Sequence, residues 1–383
     1  MPRILHAADL HLSETDRDYG LAVFSELVET AHRQRADYLV FCGDLFNTFA
    51  DAETLRSEFR RILGSPPFEF LYLPGNHEEL QRSGGDLARL DWGAATVLHA
   101  RPFGLLRRDR GGTAVEFLSV PHQEQYAGYG DWPVPPKEAP WRIAMAHGVV
   151  AGMSYRGPDD EGGAAALDPD LFLRFHADYA ALGHIHGRRG QAFGGVRLAY
   201  PGSARVWRRN ESGPRGALLL DLPERPGTAL PEPEFLPLVS AGEYRQYALP
   251  LSLEGEPPDV QALAGGWGPA DYIDLRLTGL VEDERVVARL ADGLRARYAS
   301  AVRVLDVDRE GVSALPGIAS QPIVRKFLEA WSARMPRLSG NPGNPGNAPD
   351  DRGGDPDAAA HAVWIRAREM ALNALKAGLE RLV

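Results

Sequence analysis

One cysteine, Cys42, is all the thiol chemistry this 383-residue chain carries. No disulfide can close within the chain, and no zinc site can be built from cysteines. Cys42 ends the apolar run Tyr38-Leu39-Val40-Phe41-Cys42, where a small buried strand residue is expected rather than a nucleophile. No apolar run is long enough to span a bilayer. The opening residues, Met-Pro-Arg-Ile-Leu-His, show no charged segment ahead of an apolar stretch and a cleavage site. A cytoplasmic protein with no membrane contact is expected. Excess positive charge is also missing: 42 Lys and Arg against 52 Asp and Glu give a formal net charge of -10. That balance argues against a broad, charge-driven grip on nucleic acid, although a negative sum can hide local basic patches.

What is present is the composition of a globular protein, 44% hydrophobic and 25% charged. The length predicts two domains or more. Arg3 to Ala7, Tyr38 to Cys42 and Phe68 to Leu73 read as buried strands. Between them, Leu21, Phe24, Leu27, Val28 and Ala31 share one helical face, and Leu55, Phe59 and Ile62 mark a second helix. This βαβαβ pattern predicts a sheet covered by helices. More strands are expected at Val115 to Val120, Arg142 to Ala146, Asp178 to Leu182, Val196 to Tyr200 and Ala217 to Leu222. Two facing sheets with helices outside are therefore expected. Pro223 to Pro237 reads as a connector. A small α/β module follows, with strands at Asp271 to Thr278 and Val302 to Val307 around a helix through Val286 to Leu294. Gln321 to Met335 predicts a helix. Residues 339–357, with their Asn-Pro-Gly repeat, predict a disordered linker before a last helical segment, Ala358 to Leu382.

Five short motifs carry the chemistry. They are Asp9-Leu10-His11, Gly43-Asp44-Leu45-Phe46-Asn47, Gly75-Asn76-His77-Glu78, His147-Gly148 and Gly183-His184-Ile185-His186. Each follows the carboxyl end of an apolar run, the edge of an α/β sheet where ligands bind. Glycine precedes the polar residue in three of them and lets the chain turn sharply. Carboxylates and imidazoles together suit Mn²⁺, Fe or Zn²⁺ better than Ca²⁺ or Mg²⁺. Asp9 and His11 can reach one ion, as can His184 and His186. Asp44 has two oxygens and can bridge two ions, and Asn76 offers a neutral carbonyl oxygen. Each motif alone is weak; all five in order are a strong signal. Glu78 could orient His77, but reads first as a solvated loop carboxylate.

This set resembles that of the calcineurin-like metallophosphoesterase superfamily over roughly the first 220 residues. The resemblance implies a two-sheet α/β sandwich flanked by helices, with two divalent ions clamping the attacking and leaving oxygens of an in-line displacement. It implies Asp9, His11, Asp44 and His186 on one ion, and Asp44, Asn76, His147 and His184 on the other. His77 would contact substrate, stabilising the transition state or protonating the leaving oxygen. The wording of Ala8-Asp9-Leu10-His11-Leu12, Leu182-Gly183-His184-Ile185-His186 and Tyr200-Pro201-Gly202-Ser203 resembles the Mre11/SbcD-type DNA repair nucleases. That branch implies a catalytic domain over 1–235, a small α/β capping domain that contacts DNA over 240–315, and a helical C-terminal region over 316–383. It also implies Mn²⁺, an SMC-like (SbcC/Rad50-type) ATPase bound by the tail, and a homodimer through catalytic-domain helices, with Leu80 to Trp92 as the candidate surface. Asn47 departs from the His often found at that position.

Arg205, Arg208 and Arg209, with Trp207 between them, are candidates to grip phosphates and a base. Surface arginines around a packed tryptophan are an equal reading. His122 is a minor candidate at the cleft, and His6 reads as packed. Two other functions stay open: a cyclic-nucleotide-type phosphodiesterase needing only the first domain, and a metal-stabilised scaffold without activity.

Overall fold

Strand pleating decides where the apolar runs go. In Tyr38–Cys42, Leu39 and Phe41 point to one face of the sheet while Tyr38, Val40 and Cys42 point to the other, and all five are buried. A strand buried on both faces needs a layer on each side, and the fold supplies both. The computed structural model describes residues 1–80, 87–110, 112–122, 128–153, 166–224, 230–315, 321–333, 366–375 and 378. They divide into two compact units, Met1–Tyr244 and Arg245–Val383.

The first unit is a pair of mixed six-stranded sheets flanked by helices. Its elements in chain order are β1 (Arg3–Ala7), α1 (Arg17–Arg33), β2 (Tyr38–Cys42), α2 (Phe49–Leu63), β3 (Glu69–Leu73), α3 (Asn76–Leu80), β4 (Ala95–Val97), β5 (Gly104–Arg110), β6 (Thr113–Val120), β7 (Trp141–His147), α4 (Asp170–Arg174), β8 (Tyr179–Gly183), β9 (Arg189–Phe193), β10 (Val196–Tyr200), β11 (Gly216–Asp221) and β12 (Glu234–Pro237). One sheet runs β12-β11-β1-β2-β3-β4 and the other β5-β6-β7-β8-β10-β9. Strands β1 to β4 are mutually parallel, and so are β6, β7, β8 and β10.

Three apolar layers hold this unit. Val40, Cys42 and Leu71 from one sheet meet Phe117, Ile143 and Tyr179 from the other. Phe24, Leu27, Leu55 and Phe59 of α1 and α2 cover Phe41 and Phe70 on one outer face. Leu171 and Phe172 of α4 cover Ala144, Leu182 and Leu198 on the other. The expected connector at Pro223 to Pro237 is corrected at its end: Glu234–Pro237 is strand β12, paired antiparallel to β11.

A buried ion pair braces the second sheet. Arg142 of β7 donates to Glu116 of β6 at 2.8 Å, with side chains 0% and 2% exposed. The same guanidinium donates to the carbonyls of Pro135, Pro136 and Phe175. Glu116 also accepts from the backbone N–H groups of Glu138 and Ala139. Removing the arginine leaves a buried carboxylate without its charge partner, so Arg142→Ala should cost about 3–5 kcal/mol in urea unfolding. A loss below about 1 kcal/mol, the scale of a surface pair, would show that the pair does not hold the sheet.

The second unit continues with β13 (Tyr244–Pro250), α5 (Val260–Ala264), β14 (Tyr272–Val281), α6 (Glu284–Tyr298), β15 (Val304–Ala314) and α7 (Pro322–Ala333). Its sheet runs β13-β14-β15, and β14 and β15 are parallel. Val287, Ala291 and Leu294 of α6 pack on Ile273, Leu275 and Leu277. Residues 366–375 are helical, and Leu372 is buried with Leu253, Leu280 and Val324. The linker expected at 339–357 lies outside the described residues, as do parts of the tail and of the 80–92 surface. Among the described residues, no helix is long and apolar enough to cross a membrane.

Candidate metal centre

The carboxyl ends of β1, β2, β3, β7 and β8 meet at one place. Two loops zip together beyond β1 and β2, with Asp9 N–H donating to Gly43 O, His11 N–H to Asp44 O and Leu12 N–H to Leu45 O. The two sheets join there as well. The His184 N–H donates to both oxygens of Asp9 at 3.0 Å, and His147 Nδ1–H donates to Cys42 O at 2.9 Å.

Backbone strain collects at this point. Asp9, His11, Asp44 and His184 all have positive φ, of 55°, 48°, 52° and 99°; among the described residues only Arg35, His176 and Asn210 share this outside glycine. Such a conformation is uncommon for residues with a Cβ and clusters at functional sites. Gly75 is required for a different reason. A Cβ there would lie 2.1 Å from Asp44 Oδ1 and 2.5 Å from Asp44 N, so the turn can pass Asp44 only as glycine. Gly75→Ala should therefore push Asp44 aside and weaken Mn²⁺ binding by about 10–100-fold, the range seen when support of a ligand is lost. A calorimetric titration checks this, and unchanged affinity would contradict it.

The side chains converge closely. His11 Nε2 lies 3.2 Å from His186 Nε2. His147 Nε2 lies 2.8 Å from Asn76 Oδ1 and 3.3 Å from Asp44 Oδ2. His184 Nδ1 lies 3.1 Å from Asn76 Oδ1. Three groups have donor atoms within 4.8 Å of one another: Asp9, His11 and His186; His11, Asp44 and His77; and Asp44, His147 and His184. His11 and Asp44 each belong to two of them. Asp9, His11 and His147 are 0% exposed, and Asp44, His186, Asn76 and His184 are at most 6% exposed.

Burial sets the electrostatics. It pushes the Asp9 carboxyl up to about 7, against the pull of His147 and His186. It would raise Asp44 too, but His147, His11 and His77 hold that carboxyl well below its ordinary range. Asp44 in turn overcomes the burial of His147 and raises it to about 10. His11 is driven well below its ordinary value by burial. His186 Nδ1 faces Glu211 Oε1 at 2.5 Å; with its proton donated there, Nε2 keeps a lone pair aimed toward His11. Carboxylate, imidazole and amide-oxygen groups thus converge on a common space, a set that suits borderline divalent cations.

Glu78 is not the solvated loop carboxylate that the sequence suggests. It is 0% exposed. Its oxygens accept from the backbone N–H groups of Asp44 at 3.2 Å, Phe46 at 2.9 Å and Gly75 at 2.8 Å, and from Tyr72 O–H at 2.7 Å. Burial and the nearby Asp44 raise it to about 7. Glu78 is the third residue of α3 and reaches back to the N–H just before the helix, the capping-box arrangement, so its spacing from Gly75 held the signal. The His77 N–H, at the same helix start and outside the helical ladder, donates to Asp44 Oδ1 at 3.0 Å. That leaves Oδ2 toward His147 and His11.

His77 is half-buried, more open than the seven residues around it. Its Nδ1–H donates to Asn47 O at 3.0 Å, which turns Nε2 away from that carbonyl. Of the three candidate arginines, Arg205 is corrected. It is 0% exposed and donates to Leu10 O, His11 O and Asp16, so it braces the first loop from inside. Arg209 is exposed and Arg208 half-buried. Trp207 stacks flat on His11, with centroids 3.7 Å apart and planes 3° apart, while Arg208 sits 4.0 Å over the indole. Two groups that close must take opposite faces, so the indole has no open face for a base. His122 is buried 6.2 Å from His147 between ring centroids, and burial lowers it to about 4.

Parts of the chain are similar to known proteins. Residues 2–188 match the family described as calcineurin-like phosphoesterase. The chain is 25% identical over 246 residues to the uncharacterized metallophosphoesterase YhaO of Bacillus subtilis (strain 168), covering 56% of each protein. It is 28% identical over 247 residues to the SbcD component of the nuclease SbcCD of Escherichia coli (strain K12), covering 52% of this chain and 60% of that one. It is 30% identical over 95 residues to the DNA double-strand break repair protein Mre11 of Saccharolobus solfataricus, covering 22% and 24%. The matched segments span at most 60% of these curated relatives.

Proposed function

Because residues 2–188 form a calcineurin-like phosphoesterase domain, we propose that this chain is a two-metal nuclease that hydrolyses DNA phosphodiester bonds. In this reading it works in double-strand break repair or end processing, in the cytoplasm, with an SMC-like ATPase and Mn²⁺. The sharing of Asp44 between two donor groups carries the two-metal part. The likeness to the SbcD component of SbcCD supports DNA as substrate.

Asp9, His11, Asp44 and His186 would hold one ion, and Asp44, Asn76, His147 and His184 the other. When bound, the ions supply Lewis acidity to the phosphoryl oxygens and lower the pKa of the attacking water. The chain's own part is positioning. The α3 N–H on Asp44 Oδ1 and the Cys42 carbonyl on His147 Nδ1 keep both side chains turned into the site. His77, protonated at Nε2 and held at Nδ1 by Asn47 O, donates a proton to the leaving oxygen. Arg208, which sits over Trp207, and the exposed Arg209 would contact flanking phosphates. The second unit would cap the DNA, and the C-terminal helices would take the ATPase. A homodimer belongs to the same reading.

The test is hydrolysis of blunt, overhanging and hairpin DNA with Mn²⁺, beside cyclic nucleotides and a p-nitrophenyl phosphodiester. Mn²⁺-dependent cleavage of DNA ends is expected. Turnover of small phosphodiesters with none of any DNA would overturn the nuclease reading.

A further inference from the structure

We infer that Glu211 is a positioning residue for one half of the metal centre, acting directly on His186 and through Trp207 on His11. The inference rests on the two-metal reading above. It concerns a residue outside the five motifs.

Glu211 is 5% exposed and divides its two oxygens between two tasks. Oε1 lies 2.5 Å from His186 Nδ1, and Oε2 accepts the Trp207 backbone N–H at 2.7 Å. The first contact fixes the imidazole tautomer. With the proton on Nδ1, Nε2 is left as a donor atom facing His11, and a carboxylate in this place raises the basicity of the ring. The second contact places the Trp207 backbone, and with it an indole lying flat on His11. One carboxylate therefore sets the tautomer of one imidazole and the plane of another, and these are the two whose Nε2 atoms lie 3.2 Å apart.

The neighbourhood is built to hold this arrangement. Arg215 donates to His186 O at 2.8 Å, to Ser203 Oγ at 3.1 Å and to Ser212 O at 2.6 Å, which ties both ends of the 203–215 segment to the ligand backbone. Arg208 covers the outer face of Trp207. The other half of the centre is oriented differently. His147 Nδ1 is held at 2.9 Å by the neutral carbonyl of Cys42, and its nearest Asp9 oxygen is 3.9 Å away. The two halves should therefore respond differently to loss of Glu211.

The experiment titrates the full-length, metal-free protein with Mn²⁺ by calorimetry, with no nucleic acid present, and reads the manganese spin resonance spectrum at two equivalents. The wild type should bind two equivalents and show a spin-coupled pair. Glu211→Ala should weaken one equivalent by about 10–100-fold and leave the other unchanged, so that uncoupled manganese appears. Glu211→Gln should fall between, because its amide can accept from His186 but then turns an N–H₂ group toward the Trp207 N–H. If the alanine variant does not fold by circular dichroism, the glutamine variant decides. Wild-type affinity for both equivalents in the folded variant would overturn the inference, and so would equal loss at both. A wild type that binds two ions but cleaves no DNA would overturn the nuclease reading alone.

Discussion

Asp44→Ala should reduce kcat/KM on phosphodiesters by at least about 10³-fold. Lewis-acid stabilisation by bound metal is worth several kcal/mol, and about 1.4 kcal/mol is tenfold in rate. Asp44 is grouped with His147 and His184 and also with His11, so its loss touches both halves at once. It is also the carboxylate that holds His147 at about 10 and stays ionised against its own burial. The variant should bind fewer than two ions, measured on the same sample as the rate. Near-wild-type turnover with two ions bound would mean that the two halves do not share this side chain.

The second large effect is expected at His77, and its pattern should differ. His77→Ala should lower kcat by about 10²–10⁴-fold, the range for a lost general acid. Metal binding should stay intact, because the ring is more open than the seven residues around it and its Nδ1 is already given to Asn47 O. The loss should shrink on a p-nitrophenyl diester, whose leaving group departs without a proton. An equal loss on both substrates would assign His77 to charge stabilisation instead of proton transfer. Loss of metal along with activity would place His77 among the ligands, as its grouping with His11 and Asp44 permits.

The parts of the fold that can be read from sequence are those with simple physical signals. Strands β2 and β8 are buried along their length and appear as unbroken apolar runs, and β3 and β7 carry such runs at residues 70–73 and 143–146. The edge strands are harder. β5 alternates half-buried and exposed positions and carries Arg107, Arg108 and Arg110, so its sequence resembles a loop. β12 hides in a segment rich in proline and glutamate, and is a strand only because β11 offers it an edge to pair with.

The same logic divides the candidate site. The motif residues can be found because each lies at or just past the end of a strand. Glu78 reads wrongly as solvated because its four donors come from the β2 and β3 loops and Tyr72, and local polarity does not reveal that closure. Arg205 reads as a surface residue because its partners in the first loop and at Asp16 are nearly two hundred residues away. The carbonyls of Cys42 and Asn47, which fix two histidine tautomers, belong to the backbone and leave no mark in the side-chain pattern. Glu211 sits in an irregular segment, 25 residues from the histidine it meets.

The most direct test of the central claim is a crystal grown with Mn²⁺ and measured at the manganese absorption edge. Two anomalous peaks are predicted, one among Asp9, His11, Asp44 and His186 and one among Asp44, Asn76, His147 and His184, with Asp44 in contact with both. A single peak, or peaks away from these side chains, would contradict the account.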